Sequence, residues 1–152
     1  MGAFAATGKS CRCTPDAVAR YQSRLSGPLL DRIDLQVEMP AVAINALMSQ
    51  PDGESSAAVA QRVAAARQRQ TLRQGMANSA IEVGQIDTLC STDAAAASFL
   101  QGAAQRLGWS GRGLHRSLKV ARTIADLAGA ELIGTVHIAE AMQYRRSLLR
   151  AP

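Results

Sequence analysis

The sequence predicts a mostly α protein: a four-helix bundle preceded by a fragment of an α/β core that contributes one orphan strand. Three observations carry this. Helix start and stop residues punctuate the second half of the chain at short intervals. One stretch, Ile33 to Met39, alternates apolar and polar residues with period two. Aromatic residues make up only 3% of the chain while alanine and leucine abound, so the core is aliphatic. Three segments follow: 1–50 as the edge of the α/β core, poorly ordered alone; 51–84 as a linker and a long basic helix; 85–150 as the helical domain.

Thr14-Pro15-Asp16 is a helix start, with a capping hydroxyl, a proline suited to the first turn and an acid that complements the dipole. That helix should reach Leu25, where Ser26-Gly27-Pro28 stops it. From Ile33, Leu35, Val37 and Met39 alternate with Asp34, Gln36 and Glu38, the pattern of a half-buried strand that Pro40 ends. No second convincing strand is visible. A lone strand cannot satisfy its own backbone. Either it joins a sheet the chain does not contain, or it is no strand in isolation.

Ala41 to Ser49 reads as a weak helix and Pro51-Asp52-Gly53-Glu54 as a turn. Ser55 to Gln74 is a strong helix with a serine cap and Gly75 just past its end. It carries Arg62, Arg67, Arg69 and Arg73 and no acid. Its apolar stripe is thin, which leaves two outcomes open: a solvated helix, or packing on a partner. The bundle comprises a short helix over Gln85–Cys90, one capped by Thr92-Asp93 that ends at Gly108, one from Ser110 to Ala128, and a last one from Val136 to about Leu148. On the third of these, Leu114, Leu118, Ala121, Ile124 and Ala125 should face the core.

The 152 residues suit one ordinary domain, or a small domain with loose ends. No apolar run approaches the roughly 18 residues of a membrane span, and the first ten residues lack the apolar core of a signal peptide. The expectation is a cytoplasmic protein with no membrane partner. Three cysteines, Cys11, Cys13 and Cys90, argue against a disulfide framework. The net charge of +5 permits polyanion binding without establishing it.

Several patterns suggest chemistry that they do not support. Thr7-Gly8-Lys9-Ser10 resembles the end of a phosphate loop, but the first glycine of that motif falls on Ala3 and no strand precedes it. Cys11 and Cys13 form half of a metal site at best, because zinc takes four ligands; no metal site is expected. His137 reads as a surface or capping histidine and Trp109 as a hydrophobic staple. Asp31 and Asp34 flank a strand start, where an aspartate more often caps or pairs with Arg32.

A basic constellation is stronger. Arg112, Arg116, Lys119 and Arg122 share one helix, and spacings of four and three place Arg112, Arg116 and Lys119 on one face. Like charges on one stripe repel, so an anion would make the stripe favourable. Arg112 stands in the first turn, where the helix terminus itself attracts anions. The competing reading is a solvated basic face.

Cys11-Arg12-Cys13-Thr14-Pro15, Leu25-Ser26-Gly27-Pro28-Leu29-Leu30-Asp31-Arg32-Ile33-Asp34-Leu35 and Leu118-Lys119-Val120-Ala121-Arg122-Thr123-Ile124-Ala125-Asp126-Leu127 together resemble the C-terminal third of magnesium-chelatase-like AAA+ ATPases of the ComM/YifB type. Ile138 to Arg145 fits that family's closing helix. The resemblance covers nearly all of 11–146. It implies that 85–150 is a four-helix AAA+ lid-type bundle and that Ile33–Met39 is the last strand of the nucleotide-binding sheet. It also implies a homo-oligomeric ring, a hexamer, with ATP and Mg²⁺ bound between neighbours in the full-length protein. The Leu-Leu-Asp-Arg motif makes Arg32 the arginine finger, with Asp31 orienting it. Ser110-Gly111-Arg112 makes Arg112 the sensor-2 arginine, with Arg116 as the alternative.

Walker A, Walker B and sensor 1 are expected upstream, so the chain reads as a C-terminal fragment that alone binds no cofactor and does not hydrolyse ATP. A further cysteine pair, usual in the family before the position of Gly2, would complete a four-cysteine site with Cys11 and Cys13. A ComM-type parent would remodel DNA by branch migration during natural transformation. Two rivals stand beside this reading: a stand-alone helical DNA-binding module, and a chelatase-type partner-interaction module without a nucleotide role.

Overall fold

The computed structural model describes residues 13–24, 29, 32–37, 39, 42, 44–48 and 53–145. They fall into two compact units: one holds the described residues up to Gly53 other than 34–36, the other holds Asp34–Gln36 and everything from Glu54 onward.

The first unit contains helix α1, Pro15–Gln22, and a short helix α2, Ile44–Met48. Thr14 caps α1, its hydroxyl accepting from the Ala17 amide at 3.3 Å. Val37, Met39, Val42, Ile44 and Met48 are all exposed. Among the described residues the alternating stretch 33–39 forms no strand, which is the second of the two outcomes open to a strand without a sheet. Within the expected weak helix over 41–49, the described helical residues are those of α2. Asp31 and Cys11 lie outside the described residues, as does the stop at Ser26-Gly27-Pro28.

The second unit is helical: α3 (Ser56–Gln74), two 3₁₀ turns (Asn78–Ala80 and Val83–Gln85), α4 (Ile86–Leu89), α5 (Ala94–Leu107), α6 (Gly111–Ala128) and α7 (Thr135–Gln143). Each long helix starts on a side-chain cap. Ser55 accepts from Ala58 at 3.2 Å, Asp93 from Ala96 at 2.7 Å and Ser110 from Gly113 at 3.1 Å. Gly75, Gly108 and Gly129 end them in the left-handed conformation that glycine adopts without strain. The expected last helix from Val136 is α7, whose described part ends at Gln143.

Ile81, Ile86, Leu100, Leu118, Ile133 and Ile138 lead an aliphatic core, with Ala96, Ala103, Ala121 and Ala125 where helices approach closely. Phe99, Leu114 and Ile124 pack against its edge. The core face expected of α6 is therefore the one observed.

Helix α3 packs on α6 by a route the apolar pattern did not announce. It buries only Ala66 and Gln70. Arg73 instead reaches the buried carboxylate of Asp126 with both terminal nitrogens, at 2.6 and 3.0 Å. Arg69 donates to the Asp126 carbonyl at 2.9 Å. Asn78, itself buried, donates to Asp126 at 2.8 Å and to Thr123 at 3.0 Å. Arg122, at 1% exposure among the most buried residues of the chain, pairs with Asp126 at 3.1 Å. It also donates to the carbonyls of Glu131 at 2.7 Å and Ala130 at 2.6 Å; among the described residues its Nε has no partner.

Burial pushes the Asp126 carboxyl up, but hydrogen bonds from Arg73 and Asn78 and the charge of Arg122 outweigh it, so the group stays below its ordinary value. Burial pulls the Arg122 guanidinium down, and Asp126 offsets this only in part.

Replacing Asp126 by alanine leaves Arg122 buried without its counter-charge. Loss of one partner from a buried pair costs about 3–5 kcal/mol, so urea denaturation of Asp126→Ala should show a loss of that order or a failure to fold. A pH dependence follows from the same carboxyl. Its native value lies below the unfolded one, so its stabilisation is complete above the ordinary value of 3.8 and is lost as pH falls through the native value. The urea midpoint of the unmodified chain should fall more steeply below about pH 4 than that of Asp126→Asn.

Candidate functional site

The N-terminal end of α6 is shaped by a short run, Trp109-Ser110-Gly111-Arg112-Gly113. Ser110 holds an extended backbone and closes the first turn through its hydroxyl. The first-turn amides of a helix have no partner within the helix, and the aligned peptide dipoles make that end electropositive. Gly113 is buried, and its carbonyl accepts from Arg145 at 3.0 Å. A Cβ at Gly113 would meet Ser110 Oγ at 3.4 Å and Arg145 at 3.7 Å, ordinary van der Waals distances. The Arg145 guanidinium also lies 5.8 Å from the centre of the Trp109 ring, a cation–π contact. The chain just beyond α7 is thereby fastened to the first turn of α6.

The four cations of α6 meet different fates. Arg122 is a core residue. Lys119 donates to the Ser79 carbonyl at 3.4 Å. Arg116, half-buried, pairs with Asp34 at 3.2 Å. Arg112 is exposed and, among the described residues, has neither an ion pair nor a hydrogen bond. The stripe of Arg112, Arg116 and Lys119 therefore has local acceptors for two of its charges, and its first-turn member is left for solvent or an external anion.

Arg32 is exposed, in a turn closed by its amide donating to the Leu29 carbonyl at 3.0 Å. Asp31, expected to orient it, lies outside the described residues. Cys13 is exposed and Cys90 is buried, with burial pushing the Cys90 thiol up. Among the described residues no three His, Cys, Asp or Glu side chains gather as a metal site would require. His137 accepts from the Gly134 amide at 2.9 Å, a capping role as read from its position. Trp109 packs against the core and under Arg145.

Sequence reasoning missed Arg145 and the partners of Arg116 and Asp126. Arg145 carried no local signal, because its acceptor is 32 residues away.

This capped helical bundle is that of a helical lid-type domain. Residues 53–145 match the family described as magnesium chelatase, subunit ChlI C-terminal, and residues 1–47 match magnesium chelatase, subunit ChlI. The chain belongs to this magnesium-chelatase-like family. It is similar to YifB of Escherichia coli, with 45% identity over 139 residues, covering 91% of this chain and 28% of YifB. It is similar to the competence protein ComM of Haemophilus influenzae, with 43% identity over 140 residues and the same shares, 91% and 28%. The chain thus spans 28% of the length of these relatives.

The site's side chains should differ in what they do for stability. Arg112→Ala should leave the urea midpoint equivalent to within about 0.5 kcal/mol of the unmodified chain. Arg116→Ala should lose at most about 1 kcal/mol, the scale of an exposed pair. Arg145→Ala should lose about 1.5–3 kcal/mol, as for a hydrogen bond from a charged group. A loss at Arg112 as large as that at Arg145 would make Arg112 a structural residue.

Proposed function

We propose that this chain is the C-terminal, nucleotide-sensing part of a magnesium-chelatase-like AAA+ ATPase, with Arg112 as the sensor-2 arginine and Arg32 as the arginine finger. The observation that carries the reading is Arg112: an exposed cation without a protein partner among the described residues, in the first turn of an 18-residue helix, in a chain of this family. A polyphosphate fits this end of α6 chemically. Two sources of positive potential, the guanidinium and the helix terminus, act on the same side. Charge-assisted hydrogen bonds from Arg112 would be worth roughly 1.5–3 kcal/mol each. Arg116, the alternative, has its charge met by Asp34, which favours Arg112.

ATP, bound with Mg²⁺, would supply the phosphoryl group. Arg112 would hold the nucleotide of its own subunit or, with a displaced lid, the nucleotide across the interface. Arg32, exposed, would project toward the nucleotide of a neighbour, oriented by Asp31. An arginine finger stabilises charge that develops in the transition state and is worth on the order of 10³–10⁵ in rate. This requires a ring, a hexamer by analogy with the family, inside the cell. The name of ComM as a competence protein supports a parent that remodels DNA during natural transformation, and the net charge of +5 is compatible with a polyanion.

The test uses the full-length protein. Arg32→Ala and Arg112→Ala should each abolish ATPase activity while circular dichroism and ring assembly stay unchanged. Mixing Arg32→Ala subunits with phosphate-loop-defective subunits should restore part of the activity, because some interfaces then pair an intact finger with an intact loop. Mixed rings that assemble and recover nothing would refute the finger acting in trans. Wild-type turnover in both single variants would leave the partner-interaction reading in its place.

A further inference from the structure

One side chain from the far end of the helical unit grips the chain on both sides of Arg112. Arg145 donates to the carbonyl of Gly113, the next residue, at 3.0 Å. Its guanidinium also lies 5.8 Å from the centre of the ring of Trp109, three residues before Arg112. Successive residues of a helix point about 100° apart, so Gly113 is buried where Arg112 is exposed. Both contacts therefore hold the turn that carries Arg112 rather than its guanidinium. Arg145 is itself rooted in the core. Its amide donates to the Met142 carbonyl at 3.1 Å, and Met142 is buried with Ile138 and Ala141. Trp109 is tied to the other neighbour, its amide donating to the Ala104 carbonyl of α5 at 3.1 Å. The first turn of α6 is thus fixed against α5 and α7 at once.

For stability alone a cation is an unfavourable choice here. The N-terminal end of a helix disfavours positive charge, Arg112 already stands in that turn, and no acid does. The Gly113 carbonyl also has a second side-chain donor, the buried Ser117 hydroxyl at 2.9 Å, so it keeps a partner without Arg145. What Arg145 adds is position: its planar fork reaches a carbonyl and an aromatic face together. We infer that Arg145 is a positioning residue, fixing the backbone from which Arg112 reaches the nucleotide. The inference rests on the proposed function. It holds whichever subunit of a ring binds that nucleotide, because every contact it uses lies within the helical unit. A phosphate that meets an ordered turn need not supply the energy to order it.

Two measurements test this. In the 152-residue chain, the Leu114 amide donates to the Ser110 carbonyl at 2.9 Å and reports on the first turn. Arg145→Ala, folded by circular dichroism, should speed its hydrogen exchange by about tenfold or more, the scale of a lost charged hydrogen bond. Unchanged exchange would overturn the inference. In the full-length protein, Arg145→Ala should raise the Kd for the slowly hydrolysed analogue ATPγS with Mg²⁺ about three- to tenfold, the scale of ordering a further group on binding. Added to Arg112→Ala, it should raise Kd no further, because Arg145 acts through Arg112. A merely structural clamp would leave Kd unchanged in the folded variant. That result, with weak binding in Arg112→Ala, would overturn the inference and leave the proposed function standing. An equal rise in Kd with and without Arg112 would show that Arg145 acts independently of it and would likewise overturn the inference. Wild-type Kd and turnover in Arg112→Ala would refute the proposed function, and the inference falls with it. If Arg145→Ala fails to fold, Arg145→Lys carries the same cycle, since it keeps the charge and loses the fork.

Discussion

The carboxylate of Asp126 holds the helical unit together at the place where its apolar packing is thinnest. It sits between Arg122 of its own helix and Arg73 of α3, with Asn78 completing its acceptor sites. Three parts of the unit depend on it. Helix α3 has little apolar surface to offer, since only Ala66 and Gln70 are buried. The turn after α6 is stapled by Arg122 donating to Ala130 and Glu131. The 3₁₀ turn at Asn78 is fixed by its bonds to Asp126 and Thr123. Desolvating two guanidinium groups and a carboxylate is costly, and the attraction among them roughly offsets that cost when every lone pair is used. Here both Asp126 oxygens are used, and the carbonyls at the C-terminal end of α6, the negative pole of its dipole, take the remaining positive charge.

The charged contacts also set register. Helix α3 is alanine-rich, with Ala57, Ala58, Ala60, Ala64, Ala65 and Ala66 along its first three turns. Sliding such a helix by one turn against α6 would change buried apolar area little. It would separate Arg73 from Asp126 and Arg69 from the Asp126 carbonyl, leaving a buried carboxylate short of donors. Direction and distance dependence thus give the interface a single alignment that alanine packing could not.

Much of this was legible in local sequence. Thr14, Ser55, Asp93 and Ser110 announce helix starts because a capping oxygen needs only an amide three residues away. Gly75, Gly108 and Gly129 announce the ends because each adopts positive φ. The 3.6-residue period identified the core face of α6. Arg112 was legible because a first-turn arginine after a serine cap is itself a local pattern. Arg73 and Arg145 were not, since their acceptors lie 53 and 32 residues away and nothing nearby marks them. Arg122 is the instructive miss. Read only as one of four basic residues on the helix, it was given no place in the core. On a helical projection it lies about 40° beyond Leu118, bordering the arc that Leu118, Ala121 and Ala125 define. Asp126, four residues on, extends that arc. An arginine bordering an apolar arc and an acid one turn later can form a buried pair, as Arg122 and Asp126 do here. The stretch 33–39 failed in the other direction. Its alternation is real, but a strand exists only by pairing, and exposed Leu35, Val37 and Met39 have no sheet to cover them among the described residues.

Arg112 and Arg122 share a helix, and their separation in fate follows from acceptors rather than from propensity. Arg122 has a carboxylate and two carbonyls within hydrogen-bonding distance, and with those in place its aliphatic stem can be buried. Arg112 has none among the described residues, so burial would cost far more than solvation, and it stays in water. Arg116 lies between the extremes, paired but half-exposed. The gradient along α6 therefore runs from a locked C-terminal end to an open N-terminal end, with Trp109 and Arg145 bracing the backbone of the open end while leaving its charge unspent. Bracing matters because an anion bound at a pre-ordered helix end need not supply the energy to order that backbone. The helix is thus anchored at one end by buried charge, while among the described residues Arg112 at the other end has no counter-charge.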